Sequence, residues 1–95
     1  MRRMITFDEG PVRFTVRIVG IALDRDRVLI HRTEDMEFWA LPGGRAELLE
    51  PSPETLQREM QEELDTAVTV ERLVWIAENF FEYSGKSFHE LGFYY

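Results

Sequence analysis

The segment from Gly43 to Ala67, GGRAELLEPSPETLQREMQEELDTA, constrains this chain more than any other part of it. Its two glycines permit a sharp turn and a close approach of backbone to whatever lies opposite. Ser52-Pro53-Glu54 then reads as a helix start. Ser52 caps free backbone N–H groups, Pro53 suits the first helical position, and Glu54 faces the positive end of the helix dipole. The helix is expected to run to about Leu64. At about 100° per residue, Pro53, Leu56, Met60 and Leu64 form an apolar stripe, while Glu59, Glu62 and Glu63 share the neighbouring face. Three glutamates this close repel one another and would destabilise a bare helix. A hard divalent cation removes that penalty, because Mg²⁺ and Mn²⁺ prefer oxygen ligands. Arg58 stands one turn after Glu54 and one before Glu62, placed to pair with either.

The flanking sequence reads as strands. Phe14 to Leu23 is a mostly buried strand, Asp24 to Arg27 a polar turn, and Val28 to Arg32 a second strand completing a hairpin. Phe38 to Leu41 is a short strand stopped by Pro42, Gly43 and Gly44, and Arg45 to Leu49 returns as another. Val68 to Tyr83 is rich in β-branched and aromatic residues and reads as a long or broken strand. Ser84-Gly85-Lys86 is a turn, and Ser87 to Tyr95 a final strand, central rather than at an edge. This order suits a mixed sheet with a helix on one face, an α/β fold in one small domain spanning residues 1–95.

Composition excludes several classes. There is no cysteine, so disulfides, thiolate metal sites and cysteine nucleophiles are out. The net charge of −7 argues against a nucleic-acid polymer as partner, which calls for a basic face. It leaves room for a phosphorylated small molecule held through a cation. Seven carboxylates and only two arginines lie between Gly44 and Asp65, so the excess charge is local. No apolar run follows Arg2 and Arg3, and no stretch is long enough to span a bilayer. A cytoplasmic protein without a membrane partner is the expectation.

From Gly44 the spacing is Gly, five residues, Glu50, seven residues, then Arg58, Glu59, the apolar Met60, a spacer, Glu62 and Glu63. This resembles the Nudix box, G-x5-E-x7-R-E-U-x-E-E-x-G-U with U aliphatic. Chance agreement at these positions has a probability of roughly one in a million for a chain this short. Asp65 and Thr66 depart from the box, which has Gly and an aliphatic residue there. The resemblance implies an α/β/α sandwich with a mixed sheet. It covers nearly all of this chain but about two-thirds of a typical Nudix domain, whose second helix is absent here. The domain is therefore expected to be incomplete at its C-terminus, or to be covered there by a second subunit in a homodimer.

The resemblance also implies chemistry: Mg²⁺- or Mn²⁺-dependent hydrolysis of a nucleoside diphosphate linked to another group, a nucleotide or nucleotide sugar. Glu59, Glu62, Glu63 and the Gly43 carbonyl are the implied metal ligands. Glu59, Glu62 and Arg58 are the implied catalytic residues, Arg58 by orienting the glutamates. Glu50 and Gly44 support the loop against the substrate, and Tyr83 stands where dinucleoside-polyphosphate hydrolases of the family tend to carry a tyrosine. Members use either a box glutamate or an acid on a later loop as general base. A catalytically silent nucleotide-binding module of the same fold is the alternative. Glu47 is divided evenly between a surface role and a family role. His31 and His89 read as ordinary strand residues, and Glu78 and Asn79 as either substrate-facing or strand-capping.

Overall fold

The computed structural model describes residues 3–95; Arg2, half of the basic N-terminal pair, lies outside the described residues. The elements run β1 (Thr6–Glu9), β2 (Val12–Val19), β3 (Leu23–Asp24), β4 (Arg27–Val28), β5 (Gly43–Arg45), α1 (Ser52–Leu64), β6 (Trp75–Tyr83) and β7 (Lys86–Tyr94).

Strand β2 organises the sheet. Along one edge it runs parallel to β7 for its whole length, from Val12 opposite Ser87 to Val19 opposite Tyr94. Its other edge is shared, with Val12 to Thr15 pairing antiparallel to β1 and Arg17 to Val19 to β5. β6 folds back antiparallel on β7 through Ser84 and Gly85, both at positive φ, giving the order β1-β2-β7-β6, with β5 paired to β2 on the edge that β2 also offers β1. β7 is thus central, as its apolar sequence implies.

Alternation along β2 decides which side is core. Val16 and Ile18 face α1, where Ile18 is 1% exposed among Ala46, Leu56 and Met60. Arg13, Thr15 and Arg17 face the opposite side. Leu56 and Met60 come from the apolar stripe read in the sequence, and Thr55 joins them fully buried. This is the mixed-sheet α/β fold expected, with one helix among the described residues. No described helix is long and apolar enough to cross a membrane.

Several local expectations are corrected. β1 was not read from the sequence, because its acidic, Gly-flanked stretch has little apolar signal. The strand from Phe14 starts earlier, at Val12, and ends at Val19. The hairpin shrinks to two residues on each side around Arg25 and Asp26. Residues 29–42 mostly form a loop, with His31 and Ala40 meeting in a single bridge. The long strand from Val68 begins only at Trp75, since Val68 and Val70 leave the sheet to pack on the core. Ser52 does not cap α1. Pro51 occupies the cap position, its carbonyl accepting from the N–H groups of Glu54 (3.0 Å) and Thr55 (3.1 Å), while the Ser52 hydroxyl bonds the Tyr95 hydroxyl.

Two non-glycine residues hold left-handed backbone near the helix. Asp65 closes α1 at φ 49°, and Leu49 adopts φ 63° with its side chain fully exposed, so it gains nothing from packing. A β-carbon costs about 1–2 kcal/mol in this conformation, less for Asp. Gly in place of Leu49 is expected to stabilise the fold by about 0.5–1 kcal/mol after its entropic cost in the unfolded chain. Asp65→Gly should be neutral or mildly stabilising, because it also removes a negative charge from the helix C-terminus while losing an exposed bond from Gln61 (2.8 Å). Urea unfolding of both variants checks this.

Candidate active site

The site is assembled around Arg58. Its side chain is only 16% exposed and meets four carboxylates: Glu47 at 3.2 Å, Glu50 at 3.0 Å, Glu59 at 2.9 Å and Glu62 at 3.2 Å. Glu50 grips the guanidinium with both oxygens, and one of these also accepts from the Thr55 hydroxyl at 2.6 Å. Of the two partners considered from the sequence, Glu62 is joined and Glu54 is not. Glu47, left undecided there, is buried and ion-paired. The carboxylates around it push the Arg58 pKa further up, Glu50 foremost. Glu50 is therefore directed at Arg58 and the first turn of α1, holding the loop to the helix.

The glycines bring the helix to the sheet. Gly43 and Gly44 lie opposite Val19 and Ile18. A β-carbon on Gly43 would stand 2.1 Å from the Ile18 carbonyl oxygen, so that position requires glycine. One on Gly44 would stand 2.3 Å from the Glu59 carboxyl carbon. Gly44 is the hollow in which the Glu59 carboxylate rests.

Glu63 lies beside Glu59, with 37% of its side chain exposed. Partial desolvation, reinforced by a hydrogen bond and the charge of Glu59, pushes its pKa up to about 7, with Arg17 opposing and Glu62 adding to the rise. The rise on Glu63 is the response of a group crowded by like charge and partly removed from water. The donor set is all oxygen, which suits Mg²⁺ or Mn²⁺. The residues present fit such an ion, although among the described residues no three acidic or histidine side chains yet converge on one point. Arg58 draws the Glu59 and Glu62 oxygens toward itself instead.

Glu63 also marks the rim of a cleft of about 1050 Å³ over the sheet face opposite the core. Arg17 and Arg45, opposite each other across β2 and β5, line it, and Phe38, Phe81, Tyr83 and Phe88 supply apolar wall. Tyr83 stacks edge-on against Phe38 at 5.8 Å. His31 lines the cleft too, its Nε2 buried without a hydrogen-bond partner among the described residues and 3.9 Å from Glu63. His89 lies on the other face, bonded to Glu78 at 2.9 Å. Arg17 and Arg45 escaped sequence reading. The signal was the alternation Arg13, Thr15, Arg17, a polar face inside a strand taken as mostly buried.

A mixed sheet whose glycine strand seats a glutamate-lined helix at the mouth of a cleft is the arrangement of a Nudix domain. The chain belongs to that family: the NUDIX domain matches residues 13–95. It is similar to the solution structure of the E. coli ORF135 protein, at 25% identity and TM-score 0.62, covering 93% of this chain and 64% of that one. It also resembles the crystal structure of a MutT NUDIX hydrolase from Burkholderia pseudomallei, at 24% identity and TM-score 0.67, covering 85% and 65% respectively. The chain thus spans a little under two-thirds of either structure. No curated protein matches it.

The Glu63 shift carries a sign. Between its ordinary value of 4.5 and about 7 the folded chain holds a proton that the unfolded chain has released. The stability it confers is complete below pH 4.5 and is lost as pH rises through 7. With chelator present, the melting temperature should fall between pH 5 and 8, and Glu63→Gln should flatten that fall. Added Mg²⁺ should raise the melting temperature more at pH 8 than at pH 5. An unchanged slope in the Gln variant would locate the effect elsewhere.

Proposed function

We propose that the chain is a Mg²⁺- or Mn²⁺-dependent pyrophosphohydrolase acting on a nucleoside diphosphate linked to another moiety. The observation that carries this reading is the Glu59–Glu63 acid pair at the mouth of a cleft lined by Arg17 and Arg45. Cations inside the cleft and an acidic rim form a matched receptor for a polyphosphate that arrives with a metal ion.

In this mechanism Arg17 and Arg45 bind phosphate oxygens and orient the anhydride toward α1. Glu59, Glu62, Glu63 and the Gly43 carbonyl would hold the metal, which would supply charge neutralisation and a lower pKa for the attacking water. Water adds its oxygen to phosphorus, the P–O bond of the anhydride breaks toward the leaving phosphate, and a box carboxylate, Glu59 or Glu62, takes the water's proton. Arg58 fixes the rotamers of both glutamates and Gly44 leaves the room that Glu59 needs. Tyr83 and Phe38 border the part of the substrate beyond the phosphates. The substrate is a small cytoplasmic nucleotide or nucleotide sugar. A binding module without turnover is the alternative, and the complete set of box acids favours the enzyme.

Screening nucleoside triphosphates, nucleotide sugars, ADP-ribose and dinucleoside polyphosphates with Mg²⁺ for released phosphate or pyrophosphate tests the assignment. Glu59→Gln and Glu63→Gln should each lower kcat by about two orders of magnitude or more while the fold is kept. Full activity of both at limiting Mg²⁺ would refute the metal site. Gly44→Ala should leave the melting temperature within a few degrees, because the clash falls on a movable carboxylate, yet reduce kcat/KM at least about tenfold by displacing Glu59.

A further inference from the structure

The cleft floor holds a carboxylate that neither the box nor its metal uses. Glu90 lies on central strand β7, opposite Thr15 of β2 on one side and Asn79 of β6 on the other, and lines the cleft. Its Oε1 accepts from the Asn79 side-chain amide at 3.2 Å, and the same amide nitrogen donates to the Tyr94 hydroxyl at 3.3 Å. Tyr94 reaches Asn79 by laying its ring across Gly92, where a β-carbon would stand 2.8 Å from a ring carbon. Gly92, Tyr94 and Asn79 therefore form a support that aims Glu90. The Glu90 Oε2 receives no hydrogen bond from any described residue. The nearby cations are committed elsewhere, Arg13 to Asp8 at 2.7 Å and Lys86 to the same carboxylate at 3.5 Å.

The spare oxygen faces the open cleft, where the donors of a ligand can replace water. Glu90 stands two residues and one strand from Arg17, about 8 Å across the sheet, so one ligand can reach both. Resting on the nucleotide cleft proposed above, we propose that Glu90 reads the substrate's base and selects an edge with two adjacent N–H donors, as guanine presents. Such an edge matches a carboxylate's two acceptors. Uracil, with one N–H between two carbonyl oxygens, meets the same carboxylate with repulsion on both flanks. Glu90 is a specificity residue and Asn79 a positioning residue in this assignment.

Binding tests this apart from turnover. Titration calorimetry with Mg²⁺ and the non-hydrolysable α,β-methylene analogues of GTP and UTP should show the guanine analogue binding at least about tenfold tighter. Glu90→Gln, which replaces one acceptor by a donor, should reduce that preference to about twofold or less, by weakening guanine binding and relieving the repulsion on uracil, with the melting temperature nearly unchanged. Asn79→Ala, which leaves the acid but frees it to swing, should reduce the preference partway. If wild type binds both analogues equally, or Glu90→Gln keeps the full preference or weakens both equally, the base-reading role is wrong and the nucleotide cleft survives. If neither analogue binds wild type, the function proposed above fails along with it.

Discussion

The structure depends on one guanidinium. Arg58 joins the loop acids Glu47 and Glu50 to the helix acids Glu59 and Glu62. Without it, a buried glutamate and a bidentate partner would be left as unmatched charge, the costly half of a broken ion pair, on the order of 3–5 kcal/mol. A lysine does not substitute, because only the planar fork of arginine offers donors in several directions at fixed geometry. The loop, the helix and the acidic face are therefore one electrostatic unit, and its position against the sheet is set by two glycines.

That unit is built to be under-neutralised. Arg58 offsets much of the local negative charge, yet burial and the neighbouring Glu59 still push the Glu63 pKa up to about 7. Strongly perturbed carboxylates of this kind cluster at functional sites. Beside it the sheet carries arginines, so the charge changes sign over the width of two strands. The hydrophobic core on the opposite face, around Ile18, Leu56 and Met60, keeps this arrangement rigid.

How much of this was legible depended on whether the information was local. The helix boundaries, the apolar stripe and the carboxylate face follow from spacing along thirteen consecutive residues. The strands around Val28 to Leu41 were over-read. Their apolar residues had the right composition, but Phe38 and Trp39 are half exposed or more and line a loop instead of a sheet. Glu47 was undecidable because its burial depends on β5 folding back onto β2.

The sequence by itself determined the chemistry available: carboxylates on one helix face and an arginine in register to organise them, whereas the two glycines ahead of them, read as a turn, lie in strand β5. The carboxylates and the arginine are fixed by the 3.6-residue period and need no knowledge of the remaining chain. Only the tertiary structure decided what faces that chemistry. Arg17 meets Arg45 through an antiparallel register, and Thr15 and Asn79 flank Glu90 through one parallel and one antiparallel register. Strand pairing joins residues tens of positions apart, and a slip of one residue would turn each of these side chains to the opposite face. The box was therefore readable as text, while the cleft it serves exists only once the sheet is assembled.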